Sequence, residues 1–420
     1  MSKVSTKSRK SGTPKSVESA VQTRPRRLLL CLDGVPHKLI VDAKQRGLFD
    51  SFGPPTRLLS PFPTMTNVAL SAMFDASPPA GYESLYFDKH ARELRGGIKK
   101  YLGRRTPDKI PSSYMDDLDY QEPLPFEFLI YVAPEKVWRA DMRRFRERFR
   151  ATPQDRDYFA FLKATDGLLH AQGPERLNVA LESLDNILTE IREYCGDETE
   201  IVMFSDHGMN LEENLRVDLT TQLRRRGFQV GSRFAGIKGR AVSIPAFGLC
   251  SYAAVYCGDD AYVPETARAI TEVRGVDFVV YRDALEVIVE SARGKAKIDR
   301  SGDTYRYVNT GGDPLELQSL SNEFLNESVW FKKTNAHRYP DVVVNLYKSL
   351  FANRVTHTAD ILISLEDGYY YGWSPFGRFV RLVATHGNAL QSSSNAFLMS
   401  THRNLPECVR ADNANGFLKG

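Results

Sequence analysis

The sequence predicts a doubly wound α/β core, a mostly parallel sheet flanked by helices, with a smaller α+β cap inserted into it. Three observations lead there. Short apolar runs recur that each stop at or just before an Asp or His, an amphipathic helical stripe lies between them, and two long stretches interrupt the alternation.

The first run, RLLLCL from Arg27 to Leu32, is continuously apolar, as a strand covered on both faces must be, and it ends at Asp33. Ile201 to Ser205 (IVMFS) ends at Asp206 and His207, and Phe379 to Ala384 (FVRLVA) ends at Thr385 and His386. A weaker run, Tyr158 to Lys163 (YFAFLK), stops just before Thr165 and Asp166. Parallel sheets place their sites in the crevice beyond the carboxyl ends of the strands, so one sheet would bring these four ends together. Between them, Leu177, Leu181, Leu184, Leu188 and Ile191 recur at helical steps and form one apolar stripe.

The interruptions divide the chain. We expect a basic tail over 1–26, the first part of the core over 27–224 with a helical insertion at about 86–157, a cap over 225–335, and the second part of the core over 336–420. In the insertion, Trp138, Met142, Phe145 and Phe149 share one helical face while six arginines between Arg139 and Arg150 surround it. A solvated amphipathic helix is the plain reading, and a positive rim that attracts anions the sharper one. The cap carries strand-like SYAAVYC (Ser251 to Cys257) and VDFVVY (Val276 to Tyr281), then a hairpin pattern from Gly294 to Tyr307.

Composition sets bounds on function. With 420 residues, 42% hydrophobic and 26% charged, the chain can bury a large core, which excludes fibrous and mostly disordered classes. Net charge is +4, yet residues 1–27 hold eight Lys or Arg and one Glu, so the remainder is slightly acidic. The tail lacks the apolar run of a secretory leader and reads as disordered; contact with nucleic acid or an anionic membrane through it is the weaker alternative. Five scattered cysteines and no apolar run of about 20 residues lead us to expect a cytoplasmic, disulfide-free enzyme without a membrane span.

The chemistry-bearing residues follow the strand ends. Asp33, Asp166 and His170 (TDGLLHAQGP), Asp206 and His207 (SDHGM), and His386 (ATHGN) offer three carboxylates and three imidazoles without a thiolate, a donor set suited to Zn²⁺ or Mn²⁺. Asp166 and His170, four apart on a helical turn, face the same way and can reach one ion. Thr66, in SPFPTMTNVALSAMF, precedes a helix-like run beginning near Asn67; a hydroxyl there meets unpaired backbone N–H groups that favour phosphate. Helix capping is its bland alternative role, and Thr64 the fallback nucleophile.

The order of this series resembles the alkaline phosphatase superfamily, in particular its type I phosphodiesterase and nucleotide pyrophosphatase branch. Members carry an early Asp, a Thr or Ser nucleophile, an Asp-x-x-x-His pair, an Asp-His-Gly segment and a late Thr-His-Gly, and all five stand here in that order, over about residues 27 to 400. The resemblance implies an alkaline-phosphatase-like fold and two divalent metal ions, zinc in the first instance and manganese as the alternative. Asp166, His170 and His386 would hold one, and Asp33, Asp206, His207 and Thr66 the other. It implies a small phosphate ester as substrate, hydrolysed through a phosphothreonine intermediate by a two-metal clamp with ions about 4 Å apart. Nucleotide pyrophosphatases usually show Thr-Phe-Pro-Asn at the nucleophile, the Asn donating to phosphate; here Asn67 follows Thr66 directly and is expected to take over that donation. Phosphonate hydrolases of the superfamily also have Asn after Thr, so phosphonate hydrolysis and phosphomonoesterase action stand as alternatives. A sulfatase would need Cys or Ser at the nucleophile. An alternative of another class is a non-catalytic nucleic-acid-binding protein on a phosphatase-like core. His37, His90, His337, His357 and His402 match no ligand position, and the acidic Met115 to Tyr120 segment reads as a solvated loop.

Overall fold

A computed structural model describes residues 26–97, 113–114, 126–234, 239–320, 322–372 and 381–419. The basic tail, apart from Arg26, and the acidic segment lie outside the described residues.

The core sheet has six strands: β1 (Arg27–Leu32), β2 (Thr56–Leu59), β3 (Tyr158–Leu162), β4 (Glu200–Phe204), β5 (Asn395–Ser400) and β6 (Cys408–Arg410). Their order is β6-β2-β5-β4-β1-β3, and every pairing is parallel except those of β5. Side chains alternate across a strand, and β1 shows the result: Leu28, Leu30 and Leu32 pack among residues of the helices His37–Gln45, Pro134–Ala151 and Pro174–Cys195, while Leu29 and Cys31 join Ala69, Leu70 and Met73 of the helix Thr66–Met73. Both faces are covered, which is why the strand reads as an unbroken apolar run. The stripe Leu177, Leu181, Leu184, Leu188 and Ile191 is buried as its spacing predicts. In the arginine-rich helix Phe145 and Phe149 point inward, while Arg139, Arg144 and Arg146 pair with Glu135, Asp141 and Glu190, as a solvated amphipathic helix would.

A second sheet of nine strands runs, in spatial order, Leu325–Asn326, Thr304–Gly312, Gly294–Ser301, Glu286–Ser291, Val276–Asp283, Ile361–Leu365, Tyr252–Cys257, Ala241–Ser243 and Gln229–Val230. All its pairings but the last are antiparallel. The helix Val263–Thr271 packs on one face through Ala267 and Ile270, and Val342–Phe351 on the other through Val343, Leu346 and Leu350.

Ile361–Leu365 pairs inside this second sheet with Tyr252–Cys257 and Val276–Asp283, and antiparallel pairing across so many residues carries no local signal. One expectation needs correcting. The run before His386 is not a strand where it is described. Leu382 O accepts from Asn214 N, Val383 N donates to His170 O, and Thr385 O accepts from Asn210 N, so these backbone groups are spent on three separate anchors and form no ladder. All five cysteines are free, and among the described residues no helix is long and apolar enough to cross a membrane.

Candidate active site

Three adjacent parallel strands, β3, β1 and β4, end side by side and deliver Asp166, Asp33 and Asp206 with His207 to one edge of the sheet. The turn after β1 holds the arrangement tight. Gly34 has φ of +70°, its N–H donates to Asp206 Oδ1 at 3.0 Å, and the Thr165 hydroxyl donates to Asp33 O at 2.7 Å. Asp166 and His170 lie one turn apart on the helix Ala164–Gln172. His386 arrives on the anchored loop described above; Thr385 Oγ1 donates to Leu249 O, and Gly387 N donates to Thr64 Oγ1.

These six side chains form two buried groups. Asp166, His170 and His386 offer ligand atoms within 4.8 Å of one another, and so do Asp33, Asp206 and His207. Each imidazole is oriented by its Nδ1, which donates to a backbone carbonyl: His170 to Ala384 O at 2.7 Å, His207 to Gly208 O at 2.9 Å, His386 to Thr64 O at 2.8 Å. Every Nε2 then faces carboxylate oxygen. His170 Nε2 lies 3.1 Å from Asp166 Oδ1, His386 Nε2 3.6 Å from the same atom, and His207 Nε2 3.3 Å from Asp206 Oδ2. Asp166 Oδ1 and Asp206 Oδ2 are buried with no hydrogen-bond partner. Lone pairs that confront one another in a buried site need a proton or a cation between them. The residues present therefore fit a pair of cations.

Electrostatics agrees. Burial, followed by the charges of Asp206 and Asp166, holds Asp33 well above the usual carboxylate range, and burial pushes Asp206 up to about 6. Burial works against the Asp166 charge, yet the His170 and His386 imidazoles hold it below its usual value. Burial disfavours the His170 imidazolium, but the charge of Asp166 more than compensates and the pKa is raised. His207 and His386 stack with ring centroids 3.8 Å apart; burial lowers them to about 4 and about 3, leaving both neutral and able to ligate at neutral pH.

Thr66 sits at this edge, first in its helix. The cap position belongs to Met65, which makes no side-chain cap bond, so the capping role is not the one Thr66 plays. Its hydroxyl donates to Asp33 Oδ1 at 3.3 Å and lies 3.4 Å from His207 Nε2. Thr64 is fully buried and its hydroxyl donates to Asn388 O while accepting from Gly387 N, which fixes the His386 loop. Asn67 follows Thr66, half-buried, and accepts from the Tyr114 hydroxyl at 2.6 Å.

Sequence reasoning passed over two residues here. Lys163, at the end of β3, lies in the field of Asp33 and Asp166; burial lowers its pKa and those two charges oppose the shift. Its place three residues before Asp166 was the available signal. Tyr114 lay in a stretch without periodicity and gave none. None of the five remaining histidines enters either group.

No curated protein matches the sequence. Phosphonoacetate hydrolase from Sinorhizobium meliloti, solved with phosphonoformate, is structurally similar: TM-score 0.51, 15% identity, 94% of this chain and 95% of that one covered. Murine ectonucleotide pyrophosphatase/phosphodiesterase 5 is similar at TM-score 0.50 and 13% identity, with 94% of each chain covered. The fold is that of these hydrolases. The model of the type I phosphodiesterase/nucleotide pyrophosphatase family matches residues 71–371, a span that includes Asp166, His170, Asp206 and His207. With most of its length matched, the chain belongs to the type I phosphodiesterase/nucleotide pyrophosphatase family and is a phosphoester hydrolase.

Proposed function

We propose that the chain hydrolyses a phosphodiester by way of a phosphothreonine at Thr66, at a site that holds two divalent cations. The observation that carries this reading is the position of the Thr66 hydroxyl, within 3.3 Å of Asp33 Oδ1 and 3.4 Å of His207 Nε2. Asp166, His170 and His386 would hold one ion, and Asp33, Asp206 and His207 the other; carboxylate and imidazole donors suit zinc, with manganese as the alternative. Bound there, the ions supply the positive charge that a threonine alkoxide and a phosphoryl group require.

The chain's own groups do the rest. Thr66 Oγ, its proton given up to water, attacks phosphorus in line, and the Oγ–P bond forms as the bond to the leaving oxygen breaks; the contact with Asp33 aims the oxygen. The unpaired N–H groups at the start of the helix Thr66–Met73, with the Asn67 amide, donate to the phosphoryl oxygens. Water then cleaves the Oγ–P bond and restores Thr66. Because Asn67 directly follows Thr66, a phosphonate is the second reading. The nucleic-acid-binding alternative gains nothing from the arginine-rich helix, where three of the arginines pair with acids of the same fold.

The test is a panel of bis(p-nitrophenyl) phosphate, p-nitrophenyl phosphate and phosphonoacetate, with acid-quenched protein digested and its Thr66 peptide weighed. The reading expects fastest turnover of the diester, loss of turnover with chelator and with Thr66→Ala, and a phosphate adduct on Thr66. Wild-type rates in Thr66→Ala would refute it.

A further inference from the structure

We infer that Tyr114 is a positioning residue that sets the Asn67 amide with its NH₂ group toward the substrate phosphoryl; this deepens, and rests on, the function proposed above. An asparagine amide can sit either way round, and beside Thr66 the two orientations have opposite effects on an anion. With NH₂ forward it donates two hydrogens, and with oxygen forward it repels. The Tyr114 ring is buried in the apolar layer that contains Ala69, Leu70 and Phe161, so its hydroxyl is held in place, and it donates to Asn67 Oδ1 at 2.6 Å. That bond occupies the carbonyl. The Asn67 NH₂ takes no partner among the described residues, and the side chain is half-buried at the second position of the helix that begins with Thr66.

The arrangement also explains how an asparagine next to the nucleophile can serve as a donor. A free amide would spend part of its time reversed, and ordering it on binding would cost affinity. A fixed donor avoids that cost, and because an anionic ligand strengthens the hydrogen bond it receives, the loss of fixation should appear in anion affinity.

The experiment titrates inorganic phosphate into the zinc-loaded full chain by calorimetry, for wild type, Tyr114→Phe, Asn67→Ala, Asn67→Asp and the Tyr114→Phe/Asn67→Ala double variant. Tyr114→Phe keeps the buried ring and removes only the hydroxyl. It should weaken phosphate binding about five- to tenfold, with zinc content and melting temperature close to wild type. Asn67→Ala should weaken binding further, Asn67→Asp most of all because it turns an oxygen toward the anion, and Tyr114→Phe should add nothing in the Asn67→Ala background. Unchanged affinity in Tyr114→Phe, the same loss in both backgrounds, or a wild type that binds no phosphate would overturn the inference. If this pattern holds but no ester is turned over, the proposed reaction fails while the assignment of Tyr114 stands.

Discussion

Gly34→Ala, compared with Gly47→Ala, separates backbone strain from damage to the site. Both glycines have positive φ, +70° and +86°, so an alanine at either costs about 1 kcal/mol in the left-handed region. Nothing lies within 4 Å of a methyl built on Gly47. A methyl on Gly34 would stand 3.0 Å from Asp166 Oδ1, 3.0 Å from Met209 Cε and 3.2 Å from His207 Cε1, so it presses on one member of each of the two buried groups at once. The Met209 methyl can swing aside; Asp166, held on its helix turn, and His207, held by its Nδ1 bond to Gly208 O, must move by a few tenths of an ångström. Such sites tolerate displacements of only about 0.5 Å, and disturbing a support typically lowers metal affinity about 10- to 100-fold. The assay is zinc affinity by competition with a chromophoric chelator, alongside denaturant unfolding of the zinc-free proteins. The two variants should lose similar stability from strain, but only Gly34→Ala should lose zinc affinity and diester turnover. Zinc affinity in Gly34→Ala equal to that in Gly47→Ala would refute the placement of the two groups around this turn.

Three further outcomes follow from the same geometry. Glu83 accepts from Phe247 N at 3.1 Å, Gly248 N at 2.6 Å and the Tyr252 hydroxyl at 2.9 Å, tying the segment after the helix Thr66–Met73 to the entry of the second sheet. Glu83→Ala strands those donors and should cost about 3 kcal/mol in urea unfolding, whereas Glu83→Gln should recover part of it. Asp341 is buried and held by Arg410 through contacts of 2.5 and 2.8 Å; Arg410→Ala leaves its charge uncompensated and should destabilise by about 3–5 kcal/mol, and a loss under 1 kcal/mol would show that the pair contributes little. Asp206, pushed up to about 6 by burial, and His170, whose pKa is raised, take up protons where a cation would bind. Cations bind the deprotonated forms, so the rise in melting temperature on adding zinc should be full above that range and shrink as pH falls below about 6. A zinc-induced shift of equal size at pH 5 and pH 8 would contradict the assignment.

Much of the fold was legible because the decisive signals are local. The unbroken apolar run of β1 follows from helices on both faces, and the acids at the strand ends follow from the crevice rule of parallel sheets. The grouping of the six ligand-type residues followed from the family resemblance, and the structure brings the same residues together. What stayed hidden depends on distant partners. His386 sits on a loop whose shape is set by anchors to Asn210, Asn214 and His170, and an apolar run alone cannot tell such a loop from a strand. The membership of Ile361–Leu365 in the second sheet, the Tyr114 hydrogen bond to Asn67, and the proximity of Lys163 to Asp33 arise only once the chain is folded.

The central claim is that two cations sit at this sheet edge, each held by its own three side chains. Anomalous diffraction at the zinc edge from crystals of the zinc-loaded chain tests it most directly. The account predicts two peaks, one within about 2.0–2.2 Å of ligand atoms from Asp166, His170 and His386 and the other equally close to Asp33, Asp206 and His207. A single peak, or zinc bound away from these six residues, would contradict it.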